Sequence, residues 1–242
     1  MTQESSQDRD LSPLLLLFTA ATGLVDAVSY ISLGHVFTAN MTGNIVLLGF
    51  ASVGTPGFSV SRSLTALGAF LIGAMIGGRL ATTPTPASSN RWRTAGFSSE
   101  AIFLLGASLA ALSFHAPSGD AFHLYSVIVL TGLAMGVRNA TVRKLAVPDL
   151  TTTVLTLTIT GLAADSSLAG GSNPRWQRRV LAIVLMLAGA ALGAWLLRYS
   201  LALPLGLATI SALCGVAVSY SKRDEHEAAA GTHEPGKLEV PH

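Results

Sequence analysis

Cysteine and charge are both scarce in this chain of 242 residues. The single cysteine, Cys214, excludes an internal disulfide framework and a cysteine-based zinc site. Charged residues make up only 12% of the sequence, whereas soluble domains usually have about 25%. The formal net charge is +2, and no basic cluster with interleaved aromatic residues occurs. The sequence therefore predicts a partner other than nucleic acid.

Familiar enzyme motifs are lacking as well. The chain has no HExxH, no Walker loop, no nucleophile elbow and no CxxC. The three aspartates that apolar surroundings could bring together, Asp26, Asp149 and Asp165, fit no defined catalytic spacing. The histidines near the C-terminus are too scattered to predict a metal site. We therefore expect a protein that is not an enzyme and that has neither a cofactor nor a metal.

Long apolar runs dominate what is present. Half of the residues are hydrophobic and the mean hydropathy is +0.54. The pattern predicts an all-α membrane protein with a single transmembrane domain over 12–220. A polar tail precedes it at 1–11 and a disordered cytoplasmic tail follows at 221–242, while a Pro/Ser/Thr-rich linker is predicted at 82–97. The leader shows no pattern of a cleavable signal peptide. Six runs are long enough to span: 12–33, 61–80, 98–116, 121–138, 179–197 and 200–219.

Two further segments, 36–54 and 149–166, are apolar only in part, and each is either a full span or a re-entrant half-helix. If both span, 8 of the 15 lysines and arginines lie inside and 7 outside. If both re-enter, 13 lie inside and 2 outside. Positive residues concentrate on the cytoplasmic side of membrane proteins. The charge distribution therefore favours six spans plus two broken or re-entrant segments, with both termini cytoplasmic.

The two parts of the chain resemble each other. Residues 22–49 match 131–158 at an offset of 109, and 62–80 match 178–196 at an offset of 116. The second match shares Gly-Ala-x-x-Gly, a small-residue pattern that lets helix backbones approach closely. This pattern packs either the two halves of the chain or two protomers of a homo-oligomer. We predict an internal duplication with three spans in each half, which inverts the second half. The halves are about 12–81 and 121–198.

An aspartate followed by a polar break singles out a candidate site. Asp26 lies inside the first apolar run, and ionisable groups at membrane depth are functional candidates. It is either a proton or cation site or a structural partner of Arg138 or Arg143. The break that follows is tolerated in a membrane only where it is buried in protein or lines a cavity. We expect the residues of this break to cap a half-helix starting near Ile45, to contact a ligand, or both. Gly43 can take a positive φ. The residues are Asn40, Thr42, Gly43 and Asn44.

A second break and a basic group complete the candidates. Pro148 favours the start of a helix directly after it. Asp149 either caps this start or binds a ligand there together with three threonines. The threonine hydroxyls alternatively bond back to helix carbonyls. Arg138 either anchors the end of the fourth span or faces Asp26 or an anionic substrate, and Asn139 beside it is either part of the same anchor or a binding residue. The candidate binding residues outside the first break are Asp26, Arg138, Asn139, Asp149, Thr151, Thr152 and Thr153.

These residues also carry a resemblance. The stretch Thr22–Asn44 contains G-x-x-D-A, L-G, F and A-N-M-T-G-N and resembles the signature of the YoaK-like family of bacterial integral membrane proteins. The stretch Gly132–Ala140, G-x-x-x-G-x-R-N-A, is also similar to the family, and the likeness covers about 12–220. The resemblance implies a bacterial multi-pass membrane protein of about this length, and it implies no particular reaction.

The sequence therefore predicts a small-molecule transporter. A carrier is favoured over a channel because Asp26 offers a protonatable coupling group. Its partners are the lipid bilayer and an unknown small solute. The alternatives are a channel with two re-entrant half-helices and a non-transporting membrane assembly or regulatory protein.

Overall fold

The computed structural model describes residues 6–82, 89–113, 121–145 and 155–231. Within these residues the fold contains eight α-helices and a short 3₁₀ turn, and it has no strand. The predicted all-α fold is thereby confirmed. The helices are α1 (Ser6–Ser32), α2 (Met41–Ser52), α3 (Val60–Thr82), α4 (Ser89–Leu112), α5 (Ala121–Leu145), α6 (Leu155–Ala164), α7 (Trp176–Leu196) and α8 (Ala202–Gly231).

Six of the helices are long and apolar enough to cross a membrane, as predicted. Their large apolar side chains face outward in many places, for example Leu71 and Met75 on α3 and Leu187 on α7. Surfaces of this kind are covered by lipid tails in a bilayer. The candidate spans are Leu11–Ser32, Val60–Thr82, Arg91–Leu112, Ala121–Leu145, Trp176–Leu196 and Ala202–Ser221.

The other two helices, α2 and α6, are too short to span. At 12 and 10 residues they are about 18 and 15 Å long, whereas the hydrocarbon core is about 30 Å thick. Helix α2 packs on α3, and α6 packs on α7. The two segments of mixed polarity therefore form short helices beside the six spans, as predicted.

Two tight helix pairs hold the bundle together, α1 with α7 and α3 with α5. A Cβ atom added to Gly73 would lie 2.2 Å from the Leu133 carbonyl oxygen, and one added to Gly189 would lie 2.0 Å from the Ala20 carbonyl oxygen. Only glycine allows backbones this close. The Gly-Ala-x-x-Gly faces thus pack one part of the chain against the other. Because these faces are covered within one chain, a homo-oligomer would need a different surface.

The two glycine-lined pairs have equivalent contacts. A Cβ atom added to Gly23 of α1 would meet the backbone of α7, and one added to Gly136 of α5 would meet the backbone of α3. The residue numbers of the contacted positions in α7 and α3 differ by 116, which is the predicted offset. The same comparison relates α1 to α5 by 113 rather than 109, one helical turn from the predicted register. The facing residues are Met186, Gly189 and Ala190 for Gly23, and Phe70, Gly73 and Ala74 for Gly136. These contacts support the internal duplication, which stays a prediction, and within it they match Asp26 with Asn139.

The described helices also extend into stretches predicted to be irregular. Helix α4 begins at Ser89, inside the predicted linker 82–97, and α8 continues to Gly231. Proline occurs in the linker only before Ser89, so nothing after that point removes a backbone donor or clashes with a helix. The buried side chain of Phe97 also gives this part of α4 an apolar contact with Phe18.

Candidate functional site

Asp26 lies on α1, six residues before the helix ends at Ser32, or about 9 Å from that end. Its side chain is buried, with 7% exposed. The backbone N–H groups of Ala39 and Asn40 donate to its carboxylate. The chain after α1 therefore turns back along this helix. The polar break lies beside Asp26, nearer the centre of the span than the end of α1 at Ser32.

The reversal depends on two residues with left-handed backbone conformation. Gly34 has φ +83° and His35 has φ +58°. A side chain at position 34 would also collide with the guanidinium of Arg62. A ring nitrogen of His35 lies 3.2 Å from the Gly57 carbonyl oxygen. This turn brings the break back towards Asp26.

Two buried oxygen atoms at the break are without a hydrogen-bond partner among the described residues. They are Oδ1 of Asp26 and Oγ1 of Thr38, and the side chain of Thr38 is completely buried. A buried polar atom that is left unsatisfied costs stability, and native structures retain few of them. Each of these oxygens is an acceptor that a proton, an ion or a polar solute could use.

Asn40 caps α2. Its side-chain oxygen accepts from the Gly43 N–H at 3.2 Å, so the helix begins at Met41. The prediction of a start near Ile45 was wrong by one turn, because Asn40 alone supplies the cap. Gly43 is inside the helix rather than at positive φ. Its missing side chain leaves space for the Phe37 ring, which would lie 3.0 Å from a Cβ atom.

Asn44 ties the break to α3. Its side chain is buried, where Oδ1 accepts from the Phe37 N–H at 3.4 Å and Nδ2 donates to the Ser63 carbonyl oxygen at 3.2 Å. Thr42, two residues before Asn44 in the same helix, is exposed. Asn40 and Asn44 therefore shape the break, and the backbone they position contacts Asp26.

Replacing Asn44 with alanine should lower the free energy of unfolding by about 1–2 kcal/mol, because the Phe37 N–H and the Ser63 carbonyl oxygen lose their partner. Denaturant unfolding of the purified protein in detergent measures the change. Thr42→Ala is the matched control and should remain within about 0.5 kcal/mol of the wild type. Equal losses in the two variants would contradict the structural role given to Asn44.

A second buried polar group lies at the centre of the bundle. Arg138 of α5 and Glu100 of α4 are both completely buried and form an ion pair. Arg138 Nε donates to Glu100 Oε1 at 2.7 Å, and Nη2 donates to the same oxygen. Oε2 of Glu100 is buried and has no hydrogen-bond partner among the described residues.

The remaining donors of Arg138 reach α1 and α8. Nη1 donates to the Phe18 carbonyl oxygen at 3.3 Å and to Thr22 Oγ1 at 3.4 Å. Nη2 also donates to Ser211 Oγ at 3.4 Å, and the guanidinium lies 4.8 Å from the Phe18 ring centroid. One arginine thus connects four of the spanning helices.

This arrangement corrects two interpretations of Arg138, as a topology anchor and as a partner of Asp26, while its contact with an anionic substrate stays a prediction. Helix α5 continues to Leu145, so Arg138 is inside a span and is not a topology anchor at its end. Its ionic partner is Glu100 rather than Asp26. Arg143 is exposed and does not pair with the buried Asp26. Asn139 is half-buried and donates to the Met135 carbonyl oxygen at 2.7 Å.

Glu100 is the functional candidate that the sequence analysis missed. It is a lone carboxylate within an apolar run, the same signal that identified Asp26. It lies only two residues inside the start of the predicted span 98–116. The candidate span of α4 begins earlier, at Arg91, so Glu100 lies nine residues inside it.

Asp26 and the two α1 residues that contact Arg138 lie on consecutive turns of one face of α1. Residues four apart share a helix face, so Phe18, Thr22 and Asp26 follow one another, and Arg138 contacts the first two. Thr22 is near the middle of the span Leu11–Ser32. The break, Asp26 and the ion pair therefore form a polar series that runs from one end of α1 to its centre.

The second break was predicted from residues that lie outside the part of the chain described here: Asp149, Thr151, Thr152 and Thr153. The described part that follows is α6, in which Thr158 is buried. Arg179 Nη1 donates to the Gly161 carbonyl oxygen at 2.6 Å and to Asp165 Oδ2 at 2.8 Å. Arg179 therefore fastens α6 to α7, and Asp165 belongs to this contact.

Comparison of the sequence with known proteins gives a family model and a related transmembrane protein. Residues 14–218 match the family model described as "Protein of unknown function (DUF1275)". The chain is similar to the UPF0700 transmembrane protein YoaK of Bacillus subtilis (strain 168), with 39% identity over 159 residues. That match covers 64% of this chain and 66% of the relative. No solved structure matches the chain.

Proposed function

The chain belongs to the DUF1275 family, and from this premise we propose that it is a membrane carrier for a small solute, coupled to protons through Asp26. The observation that carries the proposal is the buried Asp26, whose carboxylate meets backbone N–H groups of the break while Oδ1 is unpartnered. A buried carboxylate of this kind is costly unless it is protonated or takes a cation. Gain and loss of a proton would therefore change its contact with the break.

The short helices support a carrier. Carriers with inverted repeats place their sites where broken helices meet near the membrane centre. Here α2 begins at Met41, directly after the residues that contact Asp26. The equivalent glycine contacts of the two helix pairs support the duplication on which this comparison depends. The solute would contact the oxygens at Asp26 and Thr38.

The membrane and orientation belong to the same proposal. We place the protein in a bacterial inner membrane with both termini in the cytoplasm. Support comes from the lysines and arginines other than Arg138, which is buried inside a span: 12 of these 14 are cytoplasmic in this orientation. The solute then enters or leaves from the periplasmic side through the end of α1 at Ser32.

Reconstitution into proteoliposomes tests the carrier. We expect a panel of small amino acids, sugars, carboxylates and organic cations to contain a solute that changes the signal of a trapped pH-sensitive dye. The rate should saturate with solute concentration, and Asp26→Asn should abolish the pH change. Removing one protonatable group stops coupled proton movement, so a loss of at least about tenfold is expected.

Ser52→Ala is the control, because Ser52 is exposed at the end of α2 and is not one of the candidate binding residues. Flux that ignores both the pH gradient and Asp26→Asn would disprove the coupling. Non-saturating flux without counterflow would indicate a channel. Co-purification with a membrane protein in the absence of any flux would indicate an assembly or regulatory factor.

A further inference from the structure

Three ionisable side chains follow one another along the bundle, and their charges do not balance. Glu100 and Arg138 form an ion pair, and Asp26 lies one helical turn from Thr22, which Arg138 contacts. Asp26 and Glu100 are acidic, whereas Arg138 is the only cation in contact with either of them among the described residues. Ionising both carboxylates would leave one buried charge without a contacting counter-charge, which is strongly unfavourable. The group is neutral when it holds one additional proton.

Within the described part of the chain, the surrounding helices supply no further charge at this level. Residues 180–196 of α7 and 202–221 of α8 contain no charged side chain. Arg93 of α4 is buried but lies seven residues, or about 10 Å, from Glu100. Arg62 of α3 lies beside Gly34, and His35 is exposed. The balance within the group therefore depends on its own three members.

The atoms left unpartnered indicate where the proton belongs. Glu100 Oε1 accepts from both Nε and Nη2 of Arg138. Glu100 Oε2 and Asp26 Oδ1 have no hydrogen-bond partner among the described residues. Thr22, which accepts from Arg138 Nη1, lies one helical turn, or about 5 Å, from Asp26. Arg138 therefore already contacts α1 one turn from the second carboxylate.

We propose that Glu100 is a second proton site, and that Glu100 and Asp26 share one proton while Arg138 pairs with whichever carboxylate is ionised. This inference rests on the proposed proton coupling. In the arrangement described, Arg138 pairs with ionised Glu100, and the proton is on Asp26 Oδ1. In the exchanged arrangement, the Asp26 O–H bond has broken, the proton is bonded to Glu100 Oε2, and Arg138 donates to Asp26. The net charge of the group is the same in both.

Infrared spectroscopy of the purified full-length protein tests this sharing without a solute. At about pH 8, carboxylic acids exposed to water are ionised, so the C=O stretch of a protonated carboxyl reports the buried groups. We expect a wild-type band equivalent to one carboxyl per chain. Asp26→Asn removes it. Glu100→Gln should remove it equally, because Arg138 then pairs with Asp26 and ionises it.

A purely structural role for Glu100 predicts the opposite result, since Glu100→Gln would leave Asp26 protonated and the band unchanged. That outcome would overturn the proposal, as would the absence of a band in the wild type. Ser211→Ala, which removes another contact of Arg138, is the control and should keep the band. If Glu100→Gln does not fold, Glu100→Met, of similar volume and without a charge, is read in the same way.

The spectra and the transport assay fail independently. Expected spectra without any solute flux would disprove the carrier while leaving the shared proton intact. Proton-coupled flux with an unchanged band in Glu100→Gln would support the carrier and assign the coupling to Asp26 alone, which overturns the role proposed for Glu100.

Discussion

Arg138→Met is expected to lower the free energy of unfolding by about 3–5 kcal/mol, because it leaves Glu100 as a buried charge without its partner. The substitution also removes donors to Phe18, Thr22 and Ser211, so four spanning helices lose a shared contact. Denaturant unfolding of the protein in detergent, followed by helix content, measures the loss.

The double variant Arg138→Met/Glu100→Leu is the matched control. Because both charges are absent, no isolated charge is buried, and replacing a whole buried pair with apolar groups is often neutral. We expect it to recover most of the lost stability. A single variant within about 0.5 kcal/mol of the wild type would show that the pair is hydrated or dispensable.

Gly73→Ala is expected to destabilise the protein by about 3 kcal/mol, the upper end of the usual cost of overpacking. The new Cβ atom would lie 2.2 Å from the Leu133 carbonyl oxygen and under 3 Å from two other backbone atoms of the same residue. Since backbone cannot turn aside as a side chain can, α3 and α5 must separate. The same unfolding experiment detects the loss.

Gly68→Ala gives the comparison on the same helix, because nothing lies within 4 Å of a Cβ at that position. Alanine favours helix over glycine by about 1 kcal/mol, so this variant should be as stable as the wild type or more so. Equal stability of Gly73→Ala and Gly68→Ala would mean that α3 and α5 do not pack through this glycine.

Composition and hydropathy were sufficient to predict the six spans, the two short segments and the buried Asp26. A bilayer requires about 20 apolar residues for each span, so a segment that falls short is visible in the sequence. The polar run after Asp26 also predicted a helix start. Its position was misjudged because Asn40, Thr42 and Asn44 all have side chains suited to a cap, and only geometry shows that Asn40 is the one used.

Contacts between distant segments could not be predicted in the same way. Arg138 and Glu100 are separated by 38 residues, and nothing local specifies their pairing. The offset of 109 rests on six identities without a gap, whereas the glycine contacts favour 113. Apolar helices share many residues at any register, so identities alone discriminate poorly between registers one turn apart.

The two glycine-lined pairs also impose an order on the assembly of the protein during its synthesis. Helix α1 leaves the ribosome long before α7, with more than half of the chain between them. Until α7 is inserted, the groove of α1 at Gly23 must be filled by lipid tails. Neither the first four helices nor the last four contain both members of a tight pair. The two parts of the chain should therefore mature only together, and separately expressed fragments should each depend on the other to escape degradation.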